Sequence, residues 1–222
     1  MKRLITKHKL LWDDRSFLLS VIMSLIFFAI SFFINYGAVL YSTARAGNAT
    51  TDILLQNLPV VNLDLIFSEG VLFFIIFVTI LLLAEPATIP FTLKSVALFI
   101  CVRSIFVSMT HLAPYPDHII PDLDHLKYIT SGADLFFSGH TGLPFLLALL
   151  FWKNKYLKII FLTSSILAAI TVILGHLHYS IDVFSAFFIT YGIYHIAQKA
   201  FKNDFNVFTR GLETSKLTEN LP

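Results

Sequence analysis

The amino-acid sequence predicts an all-α protein, built as a six-helix transmembrane bundle. Of its 222 residues, 56% are apolar and 14% are charged, whereas an ordinary soluble domain carries about 25% charged residues. Its mean hydropathy is +0.76, and its polarity does not alternate with the period of two that a membrane barrel needs. The net charge of +2 offers no basic stripe for a nucleic acid. These observations exclude a soluble domain, a disordered chain and a nucleic-acid binder.

Six segments qualify, or nearly qualify, as membrane spans, because a spanning helix needs about 20 mostly apolar residues. They cover residues 17–41, 65–84, 91–110, 140–152, 156–174 and 181–201. The fourth is short, so we expect it to extend backwards along the chain or to cross where the bilayer is thin. The first is too long for a signal-peptide core and has no small-x-small cleavage site, which favours a retained helix.

The spans are expected to form one domain over residues 17–202, between a tail at 1–16 and a tail at 203–222. Lysine and arginine are concentrated in both tails and in alternate loops, while the other set of loops holds only Arg45 and Lys127. The positive-inside rule therefore predicts that both termini are cytoplasmic.

Three loops should then face the extracytoplasmic or lumenal side: residues 42–64, 111–139 and 175–180. This side carries most of the imidazoles of the chain, and they are His111, His118, His125, His140, His176 and His178. Ionisable groups in or beside a bilayer are costly, so they are candidates for function. For residues 117–125, a solvated acidic loop is the alternative interpretation.

Arg103 lies inside the third predicted span, about 10 Å below its outer end at 1.5 Å per residue. That depth does not suit a side chain that snorkels to the surface. Because guanidinium offers a planar fork suited to phosphate, we interpret Arg103 as an anion-binding residue, with Thr110 on the same helix face. The alternative is an internal ion pair with Glu69 of the second span.

Two short stretches predict the chemistry. His178 and Asp182 are spaced i and i+4, so the carboxylate can hold one ring nitrogen and leave the other as a nucleophile or base. His140 begins a helix after Gly139, where free backbone N–H groups favour an anion and an imidazole can protonate a leaving alkoxide. The predicted topology puts both histidines on one side at one depth. In-line phosphoryl transfer by such a pair needs no metal or other cofactor, provided that N–H donors and cations neutralise the phosphate.

The same residues stand in recognisable motifs. In chain order these are Arg103-x6-Thr110, then Asp134-x3-Ser138-Gly139-His140-Thr141, then His178-Tyr179-x2-Asp182-Val183. The pattern resembles the sphingomyelin synthase-like branch of the type 2 phosphatidic acid phosphatase superfamily, over about residues 50 to 200. The chain departs from the synthases at the residue before the nucleophilic histidine. That residue is acidic in the synthases and is Leu177 here, so the resemblance does not indicate which head group is transferred.

The resemblance implies a helical bundle of the phosphatidic acid phosphatase/haloperoxidase type and a membrane phospholipid as the donor. His178 would attack the phosphorus to form a phosphohistidine, with Asp182 orienting it and His140 protonating the departing diacylglycerol. Ceramide, diacylglycerol or water would then accept the head group. The residues expected to bind the substrate phosphate are Arg103, Thr110, Asp134, Ser138, Gly139 and Tyr179.

Two other functions stay open on the residues alone. A lipid phosphate phosphatase would use the same histidines with water as the acceptor. A non-catalytic membrane protein, such as a scaffold or a transporter, would carry these residues as relics.

Overall fold

The computed structural model describes residues 11–117 and 135–211, except for the side chains of residues 64–66. These parts of the chain are helical, and they contain no strand. The helices are α1 (Arg15–Ala44), α2 (Asp64–Ala84), a 3-10 helix (Pro86–Thr88), α3 (Ile89–Met109), α4 (Gly139–Leu150), α5 (Lys155–Leu174), α6 (Ser180–Ala200) and α7 (Lys202–Arg210). The predicted all-α class is confirmed.

Five helical stretches in the described chain are long and apolar enough to cross a membrane. They are Arg15–Ala44, Phe67–Ala84, Pro86–Met109, Lys155–Leu174 and Ser180–Ala200. Large apolar side chains on α1 and α2 are exposed along their length, as lipid-facing helices require. The chain is a multi-pass membrane protein.

The fourth predicted span does not extend backwards along the chain as expected. Helix α4 has 12 residues and is about 18 Å long, well short of the roughly 30 Å of a bilayer core. The expected backward extension is wrong, because Ser138 has an extended backbone and caps the helix by accepting a hydrogen bond from the Thr141 N–H at 3.4 Å.

Helix α3 lies at the centre of the bundle, with α1 along one side and α4 and α6 on the other. Helix α4 packs in turn between α5 and α6. The main core forms where these helices meet, and it is rich in phenylalanine. Its buried members include Phe91, Phe99, Phe137 and Phe161.

Helix α7 closes one end of the bundle, which we call the α7 end. Asp204 accepts a hydrogen bond from the Ser20 hydroxyl and pairs with Lys94 at 2.6 Å. The rings of Phe205 and Phe208 pack on Phe91, with centroids 5.0 and 5.4 Å away. The first residues of the predicted 203–222 tail therefore pack on the bundle.

The opposite end, the histidine end, contains residues 45–63 and 110–117, the turn 175–179 and the first residues of α4 and α6. Here the Gly47 N–H donates to His111 O at 2.8 Å, and the Val61 N–H donates to Leu174 O at 2.9 Å. These bonds hold the connecting segments against the helix ends. Which side of the membrane each end faces stays a prediction.

Helix α4 starts below the level at which α3 ends. Arg103, six residues before the end of α3 and so about 9 Å inside the bundle, donates from Nε to Phe137 O at 2.8 Å. The next residue, Ser138, donates its N–H to Asp182 O at 3.0 Å. The short length of α4 follows from this recessed start.

Close packing of α4 depends on Gly142. A Cβ atom there would lie 2.8 Å from the Phe99 ring and 2.9 Å from Thr190 Oγ1. Phe99 and Thr190 are themselves buried, so neither side chain has free space to move into. Glycine therefore lets α4 approach α3 and α6 at the same point.

We expect Gly142→Ala to destabilise the protein by about 1 to 3 kcal/mol, because overpacking forces buried neighbours apart. The measurement is the thermal midpoint in detergent. Gly192→Ala is the matched control, since no heavy atom lies within 4 Å of its Cβ position and alanine favours a helix by up to about 1 kcal/mol. Equal midpoints for the two variants would contradict the close approach of α4.

Candidate active site

The structure brings His140 and His178 together from separate segments. His140 is the second residue of α4, and His178 lies two residues before α6. Their ring centroids are 6.1 Å apart, with the ring planes inclined at 57°. A single small group can therefore contact both imidazoles.

Asp182 lies directly behind His178. Its Oδ2 is 3.6 Å from His178 Nδ1, and the same oxygen accepts a hydrogen bond from the Tyr179 N–H at 3.0 Å. Both side chains are buried. A separation of 3.6 Å is too long for a hydrogen bond, but such contacts in enzymes often shorten once substrate binds. The arrangement turns Nδ1 towards the carboxylate and leaves Nε2 for chemistry.

Arg103 lies against the start of α4. A Cβ atom at Gly139 would be 3.2 Å from Arg103 Nε, so glycine permits this approach. The first N–H groups of a helix have no partner within it and attract anions. The buried guanidinium and the α4 N-terminus together favour a negatively charged group beside His140. The alternative ion pair is not formed in the described chain, because Glu69 lies on an exposed face of α2.

Ser138 connects the two halves of the site. Its hydroxyl caps α4, its backbone N–H bonds Asp182 O, and its side chain is fully buried. These contacts set the start of α4, and with it His140, against the first turn of α6. The phosphate-binding role of Ser138 and Gly139 stays a prediction.

Tyr179 joins the α5–α6 turn to both connecting segments at the histidine end. Its hydroxyl donates to Ala113 O at 2.8 Å and accepts from the Thr50 N–H at 3.2 Å. Burial raises the pKa of Tyr179, so the phenol keeps the proton that it donates. Its predicted contact with phosphate stays a prediction.

One further predicted residue, Thr110, bonds to other parts of the fold. The Thr110 hydroxyl donates to Phe106 O at 3.0 Å, and its carbonyl accepts a hydrogen bond from Ser42 at 3.3 Å. Thr110 thus joins the end of α3 to α1, and its role towards phosphate is untested. Asp134 lies outside the described residues.

Asp52 is a residue of this region that sequence reasoning missed. Its Oδ2 accepts from the Ser180 N–H at 2.7 Å, and its Oδ1 accepts from the N–H groups of Leu54 and Leu55 at 2.9 and 3.2 Å. It therefore caps α6 between His178 and Asp182. No local pattern indicates this contact, because Asp52 and Ser180 are 128 residues apart.

Phe67 of α2 was missed for a similar reason. Its buried ring lies 4.6 Å from the His140 ring, centroid to centroid. In the sequence it is one of many phenylalanines in an apolar span. In the structure its ring packs on the ring of His140.

Residues 132–199 match the PAP2 superfamily C-terminal family. The matched segment contains His140, His178 and Asp182, and it supports the PAP2 superfamily and an enzyme of the phosphatase or phosphotransferase kind. Neither a curated protein nor a solved structure matches the chain.

The Asp52 carboxylate predicts a pH dependence of stability. Burial alone raises the pKa of Asp52, but hydrogen bonds from the N–H groups of Ser180, Leu55 and Leu54 outweigh it and hold the pKa below the usual 3.8. A lowered carboxyl pKa stabilises the fold at pH values above the usual one, and that contribution is lost as pH falls through the lowered pKa.

We therefore expect Asp52→Asn to cost about 1 to 3 kcal/mol at neutral pH, because an amide nitrogen cannot accept the hydrogen bonds of a carboxylate oxygen. The difference in thermal midpoint from wild type should shrink as pH falls below 3.8. Asp117→Asn, at an exposed position of the same end, is the control and should change little. A difference that is constant with pH would rule out the ionised cap.

Proposed function

We propose that this protein is an integral membrane lipid phosphotransferase that resembles sphingomyelin synthase and moves a phospholipid head group to a lipid hydroxyl through a phosphohistidine. The observation that best supports this function is that the ring centroids of His140 and His178 lie 6.1 Å apart. Reacting atoms in a productive complex lie about 3 to 3.5 Å apart, so this spacing suits one phosphoryl group between two rings. The superfamily match covers the same residues.

In the first step, Nε2 of His178 attacks the phosphorus of the donor phospholipid. The bond from phosphorus to the diacylglycerol oxygen breaks, and His140 gives its proton to the departing alkoxide. Asp182 stabilises the positive charge that develops on His178. Arg103 and the α4 N-terminus stabilise the negative charge on the phosphoryl oxygens.

In the second step, a hydroxyl oxygen of the acceptor attacks the phosphorus and the phosphorus–nitrogen bond breaks. His140 is now neutral and takes the hydroxyl proton, while His178 returns to its starting state. Ceramide is the acceptor that the resemblance favours, and diacylglycerol would simply reverse the first step. No metal or cofactor is required if Arg103 and backbone N–H groups supply the neutralising charge.

Hydrolysis is the second candidate function. The matched superfamily model supports a lipid phosphatase as well as a phosphotransferase. Leu177 precedes His178, at the position where the synthases have an acidic residue that bears on head-group choice. This position therefore does not indicate a particular head group. A lipid phosphate phosphatase would run both steps with water in the second.

The proposed location of the site follows from the charge distribution. Both termini are proposed to be cytoplasmic, which puts the histidine end on the extracytoplasmic or lumenal side. The site lies about 9 Å below the end of α3, at a depth that a phospholipid head group could reach laterally from the outer leaflet.

We expect His178→Ala and His140→Ala each to lower turnover by at least about 100-fold, the smallest usual contribution of a general acid or base. Asp182→Asn should cause a large but incomplete loss, because tautomer control fails while both imidazoles remain. Turnover is measured with purified protein in detergent. His195→Ala is the control, since His195 is exposed near the α7 end of α6. Wild-type turnover in both histidine variants would contradict the two-histidine mechanism.

A second experiment separates transfer from hydrolysis. Phosphatidylcholine or phosphatidylethanolamine labelled in the head group is incubated with short-chain ceramide and the protein in detergent. Label in a new phospholipid is the expected result. Label found only in the water-soluble fraction would show hydrolysis in place of transfer.

A further inference from the structure

His176 is a buried imidazole that neither the predicted site nor the proposed mechanism uses. Only 3% of the residue is exposed, and neither Nδ1 nor Nε2 has a hydrogen-bond partner in the described chain. Buried side-chain polar atoms in proteins nearly always have a partner. Two unpaired nitrogens on one buried ring therefore indicate a ligand that the protein alone does not supply.

The backbone of His176 has a left-handed conformation. Its φ is +53°, in the left-handed region that L residues with a side chain rarely adopt. The preceding residue is a glycine, which tolerates such a conformation at little cost, yet Gly175 has φ −81°. His176 is the residue after the α5 C-cap, a position at which helices commonly end in this left-handed conformation.

The position of His176 is set by the end of α5. Its own N–H donates to Ile173 O at 3.0 Å, and the Leu177 N–H donates to Val172 O at 2.9 Å. Its ring lies edge-on to Tyr115, with centroids 5.3 Å apart. Two residues later, the ring of His178 faces His140. His176 therefore lies two residues before His178 in the turn that leads to α6, and its ring packs on Tyr115.

The kind of ligand follows from hydrogen-bonding chemistry. A neutral imidazole offers one N–H donor and one acceptor nitrogen. A phosphoryl oxygen accepts hydrogen bonds but does not donate them. A quaternary ammonium group neither donates nor accepts a hydrogen bond. A hydroxyl group or a water molecule both donates and accepts, so it can pair with either nitrogen. Arg103 and the α4 N-terminus already supply donors for phosphoryl oxygens.

We propose that His176 binds the hydroxyl of the acceptor, either a lipid alcohol or water, and holds it for attack on the phosphohistidine. This inference rests on the proposed function. In that step the acceptor oxygen forms its bond to phosphorus, the phosphorus–nitrogen bond to His178 breaks, and the hydroxyl proton passes to His140. His176 itself gains and loses no proton overall, so it is a binding residue. It acts in the second step only, because only that step uses the acceptor.

The test separates the two steps by rapid quench into alkali. Phosphatidylcholine labelled with ³²P is mixed with the purified full chain, with and without short-chain ceramide, and label on the protein and in products is followed with time. His176→Phe keeps an aromatic ring beside Tyr115 and removes both nitrogens. We expect it to acquire label as fast as wild type and to release it at least about tenfold more slowly, which corresponds to roughly 1.4 kcal/mol. Label should accumulate on the protein.

Two further variants separate binding from folding. His176→Gly suits the positive φ and removes the ring, so it should fold, release label slowly and recover when free imidazole is added. His111→Phe is the matched control: His111 also has an unpartnered buried nitrogen and packs on an aromatic ring, Tyr41, at 5.6 Å. It should leave both steps unchanged.

The outcomes distinguish the inference from the function on which it rests. If His176→Phe and His176→Gly slow both steps equally, or neither step, His176 does not bind the acceptor. If wild type acquires no label and forms no product, the proposed function fails first. The ceramide arm identifies the source of the hydroxyl, because label then leaves the protein in a lipid or in a water-soluble product.

Discussion

The site depends on one constraint: α4 begins inside the bundle, and the residues just before it are bound to helices on both sides. Phe137 O is held by Arg103 of α3, and the Ser138 N–H is held by Asp182 O of α6. Because α4 starts at that depth, its unpaired N–H groups point into the interior instead of into water. His140, the second residue of α4, is thereby brought beside His178.

A second set of contacts holds the other half of the site. Asp52 caps α6 through Ser180, and Tyr179 connects the same turn to Ala113 and Thr50. These bonds are made by residues that lie between His178 and Asp182 in the sequence. The connecting segments at the histidine end therefore fix the α5–α6 turn, and the bilayer-crossing helices fix the start of α4. A rigid two-imidazole site results from two independent supports.

The helical class, the apolar segments and the pairing of His178 with Asp182 could be predicted, because each depends on spacing within one element. The histidine pair across two helices was predicted only by combining spacing with the charge rule for topology. The length of α4 was not predicted, because its start is decided by a cap and by contacts with α3 and α6. Asp52 and Phe67 were missed because an isolated aspartate in a loop and a phenylalanine in an apolar span carry no local signal.

The sequence by itself determined that this is a multi-pass helical membrane protein, since composition and apolar runs decide how a chain partitions between water and lipid. It also predicted which side chains would transfer a phosphoryl group. Only the tertiary structure decided that two imidazoles, one guanidinium and one helix N-terminus meet, and that both nitrogens of the buried His176 have no hydrogen-bond partner in the described chain. Such meetings depend on contacts between segments far apart in the chain, which a periodic pattern within one segment does not encode.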